Sequence, residues 1–283
     1  MKTGLVMEGG AMRGLFTAGV TDVLMKNGIR FDGAVGVSAG AAFGVNYKSG
    51  QIGRVLRYNT RFCGDKRYSG LGVLLKTGNV FSSEFCYGEV PLELDRFDFA
   101  AYKNNPMEFV VVCTDVTTGQ AIYHRWDGYE DHGFDWIRAS ASMPLVSNMV
   151  EIDNHLYPDG GIADSIPAKF FIERGYGRCV VILTQPRGFV KQPNKALPLI
   201  RAGYRRYPAL VKAVENRHII YNETLQYIEA QERAGNLLVI RPKEALPVSR
   251  VEHDPARLRA AWGAGRRIAE ARLEEIREFL KVE

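Results

Sequence analysis

The sequence predicts an α/β protein: a three-layer α/β/α sandwich on a mainly parallel sheet, with a C-terminal helical extension. Three observations predict it. Short apolar runs alternate with segments of helical periodicity as far as about residue 186. Two of the runs end in glycine-rich corners that open helices, Gly9-Gly10-Ala11 and Gly36-Val37-Ser38-Ala39-Gly40. Beyond about residue 190 the composition turns helical, with one more apolar run near 237–241. The 283 residues are read as one domain, with 1–186 as the core and 187–283 as the extension.

In chain order, Leu5-Val6-Met7 is the first strand and stops at Glu8-Gly9-Gly10. Phe16, Val20, Val23 and Leu24 recur at helical spacing, and Asn27-Gly28 supplies the left-handed stop. Ala34 to Val37 is a second strand running straight into Ser38, and Ala39 to Ser49 is a helix closed by Gly50. Residues 51–61 read as a short basic helix, and 62–106 as a partly helical insertion over the C-terminal edge of the sheet. Glu108 to Thr114 is apolar almost throughout, as a strand buried on both faces should be. Gln120 to Arg125 returns as its hairpin partner, and Asp135 to Ser142 is a helix stopped by Pro144. Val150–Ile152 and His155–Tyr157 form a second hairpin that delivers Asp159-Gly160-Gly161. A helix over Pro167 to Arg174 and a buried strand over Cys179 to Leu183 complete the core. In the extension, 201–233 is helical with a break at Pro208, 237–240 joins the sheet, and 255–281 is a helical tail.

The chemistry lies at the glycine corners. Gly-x-Ser-x-Gly between strand and helix is a nucleophile elbow, in which a strained serine projects its hydroxyl from the end of the sheet. Gly36 and Gly40 remove side chains that would obstruct so tight a turn, which makes Ser38 the candidate nucleophile. The loop of Gly9, Gly10 and Ala11 aims N–H groups outward beside a helix N-terminus. Such a loop holds a phosphate or the oxyanion of a tetrahedral acyl intermediate. Both corners fall at the C-terminal edge of a parallel sheet and so face one site. The pentapeptide alone arises by chance in roughly one chain in ten of this length. A glycine loop one βα unit upstream makes the signal strong. Gly9 to Gly14 has the Walker spacing, but Leu15-Phe16 stands where Lys-Ser/Thr is needed, and the dinucleotide pattern is not met.

A serine needs a base to take its proton. The five histidines fall in hairpins or in the extension, none in a context that marks a catalytic imidazole. Asp159 is the better candidate. Asp153-Asn154 already turns the hairpin, so Asp159 sits at its exit, followed by Gly160 and Gly161 where backbone freedom is needed. The competing reading is a plain tight turn. An exposed carboxylate is a feeble base, and burial would raise its proton affinity.

The net charge of +5 is mild and does not by itself imply nucleic acid as a partner. Residues 201–217 carry five cations (Arg201, Arg205, Arg206, Lys212, Arg217) against Glu215, with Tyr204 and Tyr207 interleaved. That stretch suits peripheral contact with an anionic membrane and equally a solvated helix face. Cys63, Cys86, Cys113 and Cys179 lack metal-ligand spacing and read as reduced thiols, so no metal or cofactor is expected. The first strand begins within a few residues, leaving no room for a leader peptide, and no apolar run reaches membrane-span length. A cytoplasmic protein, at most peripheral to a membrane, is the expectation.

Taken together, Gly9-Gly10-Ala11-Met12-Arg13-Gly14, Gly36 to Gly40 and Asp159-Gly160-Gly161 resemble the patatin-like phospholipase family in order and spacing. Arg138-Ala-Ser140-Ala-Ser142-Met-Pro144 is similar to a segment that family members carry ahead of the aspartate, and Asp159 to Pro167 resembles the bacterial branch. The resemblance implies a patatin-like fold and a serine acyl hydrolase acting on lipid esters. In it Ser38 is the nucleophile, Asp159 the sole base, and the N–H groups of Gly9, Gly10 and Ala11 the oxyanion hole. Arg13 and Gly14 support the loop, with Arg13 also a candidate phosphate contact. Ala11 departs from the family, standing where a third glycine is usual. The insertion would then be a lid, an acyl-chain wall or a surface excursion. A carboxylesterase or thioesterase with soluble substrates, and a non-catalytic membrane- or phosphate-binding module, are the other readings. Oligomeric state is not legible.

Overall fold

The computed structural model describes residues 1–281. Its strands are β1 (Lys2–Met7), β2 (Gly33–Val37), β3 (Glu108–Thr114), β4 (Ala121–Arg125), β5 (Val150–Ile152), β6 (His155–Tyr157), β7 (Tyr176–Ile182) and β8 (Leu237–Ile240). Six of them form one sheet in the order β4-β3-β2-β1-β7-β8, and β5-β6 is a separate hairpin. All pairings in the large sheet are parallel except β3 with β4. Met7 lies opposite Gly36, so the chain leaves β1 and β2 side by side and both glycine corners open at one edge.

Alternation along the buried strands divides the core. Leu5, Met7, Ala34, Val111 and Val180 point to one face, where α1 (Gly14–Lys26) and α2 (Ala39–Lys48) pack with Phe16, Val20 and Val45. Val6, Val35, Val37, Val112 and Val181 point to the other, against Phe171 and against Tyr221 and Ile228. Those residues belong to α7 (Ala168–Glu173) and α9 (Pro208–Arg233). Between α2 and β3 lie α3 (Arg54–Phe62), α4 (Leu71–Thr77), a π-helical stretch (Phe85–Leu94) and α5 (Phe99–Asn104). The helix before β5, α6, covers Asp135–Ser140, two residues less than its sequence pattern suggests.

The extension is bound to the core through β8, the sheet edge beside β7, and through α10 (Pro255–Ala271) crossing α1. A Cβ on Gly19 would lie 2.0 Å from the Trp262 carbonyl oxygen, and one on Gly265 would lie 2.0 Å from that of Phe16. Two glycines therefore let the helix backbones touch. The Trp262 indole N–H also donates to Asp22 on α1 at 2.8 Å. The 201–233 stretch breaks at Pro208 as its sequence suggests, and the 255–281 tail also divides, which its sequence does not suggest. The first begins at Leu197 as α8 (Leu197–Gly203), and α9 starts at Pro208, whose missing N–H suits a first helical turn. The tail breaks at Arg272, which donates to the Val239 carbonyl on β8, and α11 (Leu273–Leu280) then buries Ile276 and Leu280 on the sheet.

Candidate active site

Ser38 follows β2 and caps α2 with φ 54° and ψ −122°, the strained corner expected of the elbow. A Cβ on Gly36 would meet the Gly40 carbonyl oxygen at 2.4 Å, and one on Gly40 would meet that of Met7 at 2.3 Å, so no larger residue fits either position. The Ser38 N–H donates to Ser140 Oγ at 2.8 Å, and that hydroxyl donates to the Val112 carbonyl at 2.6 Å. Ser140, fully buried, thus ties the elbow to β3.

Asp159 lies at the exit of β6, against the end of β3. Its N–H donates to the Ser142 carbonyl at 2.9 Å, and its own carbonyl accepts from the Thr114 hydroxyl at 2.8 Å. The next residue must be glycine, since a Cβ on Gly160 would lie 2.0 Å from the Val112 carbonyl oxygen. The carboxylate is 2% exposed and accepts from the Gly161 N–H at 2.7 Å. Burial pushes it up to about 6, against the lowering effects of Arg217, the Gly161 N–H and the Ser38 hydroxyl that faces it. The hydroxyl and the carboxylate, read separately from sequence, stand together.

No histidine joins them. His124 pairs with Asp131 and stacks on Trp136, His132 pairs with Asp153, and His155 with Asp115. His218 and His253 bond to the Glu215 and Cys63 carbonyls.

The glycine loop abuts the elbow, since a Cβ on Gly9 would stand 3.0 Å from the Ser38 Cβ. Among the described residues the N–H groups of Gly9, Gly10 and Ala11 donate to no protein acceptor. Ala11 takes φ 49°, the left-handed region in which a third glycine would be unstrained. Gly14 lets α1 approach α2, where its Cβ would press on Phe43 and Ala39. Arg13 lies near Glu8 and Tyr221, its Nε buried and without a partner.

Sequence reasoning missed the loop's supports. Glu8, 2% exposed, accepts from the Thr184 N–H and hydroxyl after β7 and from the Tyr221 hydroxyl of α9 at 2.6 Å. Arg217, counted from sequence among the membrane-facing cations, instead sends its Nε–H to the Gly161 carbonyl. A buried acid directly before the glycines was the one available signal. The partners lie about 175 and 210 residues away and gave none.

Ser38 also lines a largely apolar cleft. Phe43, Tyr58, Phe81, Tyr87, Phe97 and Ile137 are among its walls. Residues 62–106 supply much of its lining. No helix among the described residues is long and apolar enough to cross a membrane.

Comparison with known proteins bears on the family. A second model, for a domain of unknown function, matches residues 207–281, the segment that carries β8 and α10. The uncharacterized protein YjjU of Escherichia coli (strain K12) is 29% identical over 262 residues, covering 86% of this chain and 69% of its own length. The crystal structure of VipD from Legionella pneumophila aligns over 97% of this chain and 67% of its own, with TM-score 0.49 and 13% identity. The model of the patatin-like phospholipases matches residues 5–172, more than half of the chain and all three motifs, and the chain belongs to that family.

Proposed function

We propose that the chain is a serine acyl hydrolase that cleaves lipid carboxylic esters through a Ser38–Asp159 dyad. Ser38 Oγ attacks the ester carbonyl carbon while its proton passes to Asp159. The N–H groups of Gly9, Gly10 and Ala11 receive the oxyanion, which is the largest source of catalysis in such sites. Collapse of the tetrahedral intermediate expels the alcohol, which takes the proton back from Asp159 and leaves an acyl-Ser38. A water then attacks the acyl carbon, gives its proton to Asp159, and the fatty acid departs as Ser38 is reprotonated.

The observation that carries this reading is the buried Asp159 carboxylate, held near a pKa of 6 and facing a strained serine with no imidazole near. Such a carboxylate is ionised at neutral pH yet far more basic than an exposed one. Lipid is favoured over soluble esters by the apolar cleft and by the surface around its mouth. There Leu71 and Leu75 of α4 are 70% and 79% exposed, Leu145 and Val146 are exposed too, and the two stretches are joined by the Val80 N–H, which donates to the Val146 carbonyl at 2.7 Å. The basic 201–206 stretch adjoins them through the Tyr204 hydroxyl, which accepts from the Leu145 N–H at 3.2 Å, and we place the membrane contact on that face.

The test is labelling with a fluorophosphonate and release of fatty acid from phospholipid vesicles. Wild type is expected to react and turn over, and Ser38→Ala and Asp159→Asn to lose turnover. Labelling that survives Ser38→Ala refutes the nucleophile. Faster turnover of short soluble esters than of vesicles moves the substrate class to carboxylesters.

A further inference from the structure

The apolar cleft is lined in part by Ser38. Four cations that do not line that cleft gather near Glu8 and Gly161, and three lie outside the segment matched to the family: Lys191, Arg217 and Arg250, with Arg13 beside them. Arg217 approaches Asp159 and binds the Gly161 carbonyl, Lys191 follows β7, and Arg250 comes from the loop before α10. They are close enough that each of the other three cations lowers the proton affinity of Lys191, although burial does so more. The ammonium, lying 4.2 Å above the Tyr221 ring, is pushed down to about 7.

Two carboxylates share this region. Glu8 is already engaged by two hydroxyls and an N–H, and Asp159 serves the serine. Four cations against two carboxylates leave an excess of two positive charges once Lys191 is protonated, and the proximity of the others is part of what lowers its proton affinity. The buried Arg13 Nε has no partner, and among the described residues none of the four cations forms an ion pair with a carboxylate. Arg250 is exposed, but Arg13, Lys191 and Arg217 are partly buried, and cations withdrawn from water are normally paired because an unpaired one bears a desolvation cost. A group of two negative charges offering several acceptor oxygens would supply what is missing.

We infer that Lys191, Arg217 and Arg250 form, with Arg13, a subsite for a phosphate monoester on the leaving group, so that the preferred substrate is an acyl ester of a glycerol phosphate rather than of a choline-capped or neutral glycerolipid. This rests on the Ser38–Asp159 reading. With the acyl chain in the apolar cleft, the ester carbonyl lies at Ser38 and the departing glycerol extends toward the cations. A choline cap would bring a fixed positive charge into a cluster that already has an excess. A phosphomonoester dianion balances it and restores the Lys191 ammonium.

The experiment compares one acyl composition with phosphate, phosphocholine or hydroxyl at the headgroup, in mixed micelles at fixed ionic strength. The phosphate monoester is expected to have the highest kcat/KM, on the order of tenfold or more above the others, as one or two charge-assisted bonds to a partly buried anion would give. Lys191→Gln and Arg250→Gln, the first at a partly buried and the second at an exposed side chain, are expected to reduce that ratio severalfold each. Equal rates on the three headgroups, or a preference that persists in Lys191→Gln/Arg250→Gln, overturn the assignment. Calorimetry on Ser38→Ala with glycerol 3-phosphate and with inorganic phosphate separates this from the dyad. Binding of glycerol 3-phosphate that Arg250→Gln abolishes supports the subsite whether or not Ser38 is labelled. Binding of inorganic phosphate alone would overturn the substrate assignment. Absent labelling and turnover on every ester would strike the dyad instead.

Discussion

If Asp159 is the base, the pH profile of the enzyme carries its signature. The carboxylate sits about two units above its ordinary 3.8, at about 6, because burial outweighs Arg217, the Gly161 N–H and the Ser38 hydroxyl. A group at that value is about one-tenth ionised at pH 5 and about nine-tenths ionised at pH 7, so kcat/KM is expected to rise about tenfold across that interval. A carboxylate of ordinary acidity would give a rise of less than about 10% over the same range. The assay is hydrolysis of an uncharged ester, whose own ionisation cannot mimic the limb. Arg217→Gln removes the largest influence favouring the anion and is expected to move the limb to higher pH. The same displacement acts on stability. The unfolded carboxyl gives up its proton near 3.8 and the native one near 6, so the native state holds an extra proton between them. The resulting contribution, up to about 3 kcal/mol, is complete below about pH 4 and is lost as pH rises through 6. Asp159→Asn should therefore melt higher than wild type at pH 8 while losing turnover. A flat profile from pH 5 to 7, or a limb that persists in Asp159→Asn, refutes the reasoning.

Ser140→Ala should cost about 1–3 kcal/mol for each of two buried groups left without a partner, the Ser38 N–H and the Val112 carbonyl. It should also lower kcat more than it raises KM, because it loosens the elbow and not the cleft. Urea denaturation and steady-state kinetics read both, and a change in stability below about 0.5 kcal/mol would show that Ser140 is not a tie. Gly265→Ala should destabilise by about 3 kcal/mol by prising α10 off α1, where its Cβ would meet the Phe16 carbonyl at 2.0 Å. Gly263→Ala, whose Cβ meets only the end of the Arg267 side chain at 3.3 Å, should stabilise by up to about 1 kcal/mol. Similar thermal shifts for the two would refute the close crossing.

Local chemistry was enough for much of this protein. Apolar runs that end in glycine mark β1 and β2 because only a glycine-flanked corner tolerates the backbone of Ser38, and continuous apolarity marks β3 and β7 because both their faces are covered. The residue types at Ser38 and Asp159, and the hairpin that presents the latter, follow from the same short-range rules. What they could not determine is which distant groups surround the site. The walls of the cleft come from a stretch with no clean periodicity, because a π-helical turn containing Pro91 follows neither helical nor strand spacing. The basicity of Asp159 depends on its burial against the end of β3 and on the inward turn of Arg217 on the path of α9, and the glycine loop depends on Glu8 holding Thr184 and Tyr221. Those contacts join residues about 50 to 210 positions apart. Charge and spacing along the chain are local quantities. Burial and the field at a carboxylate are sums over everything that packs around it, and only the folded chain performs that sum.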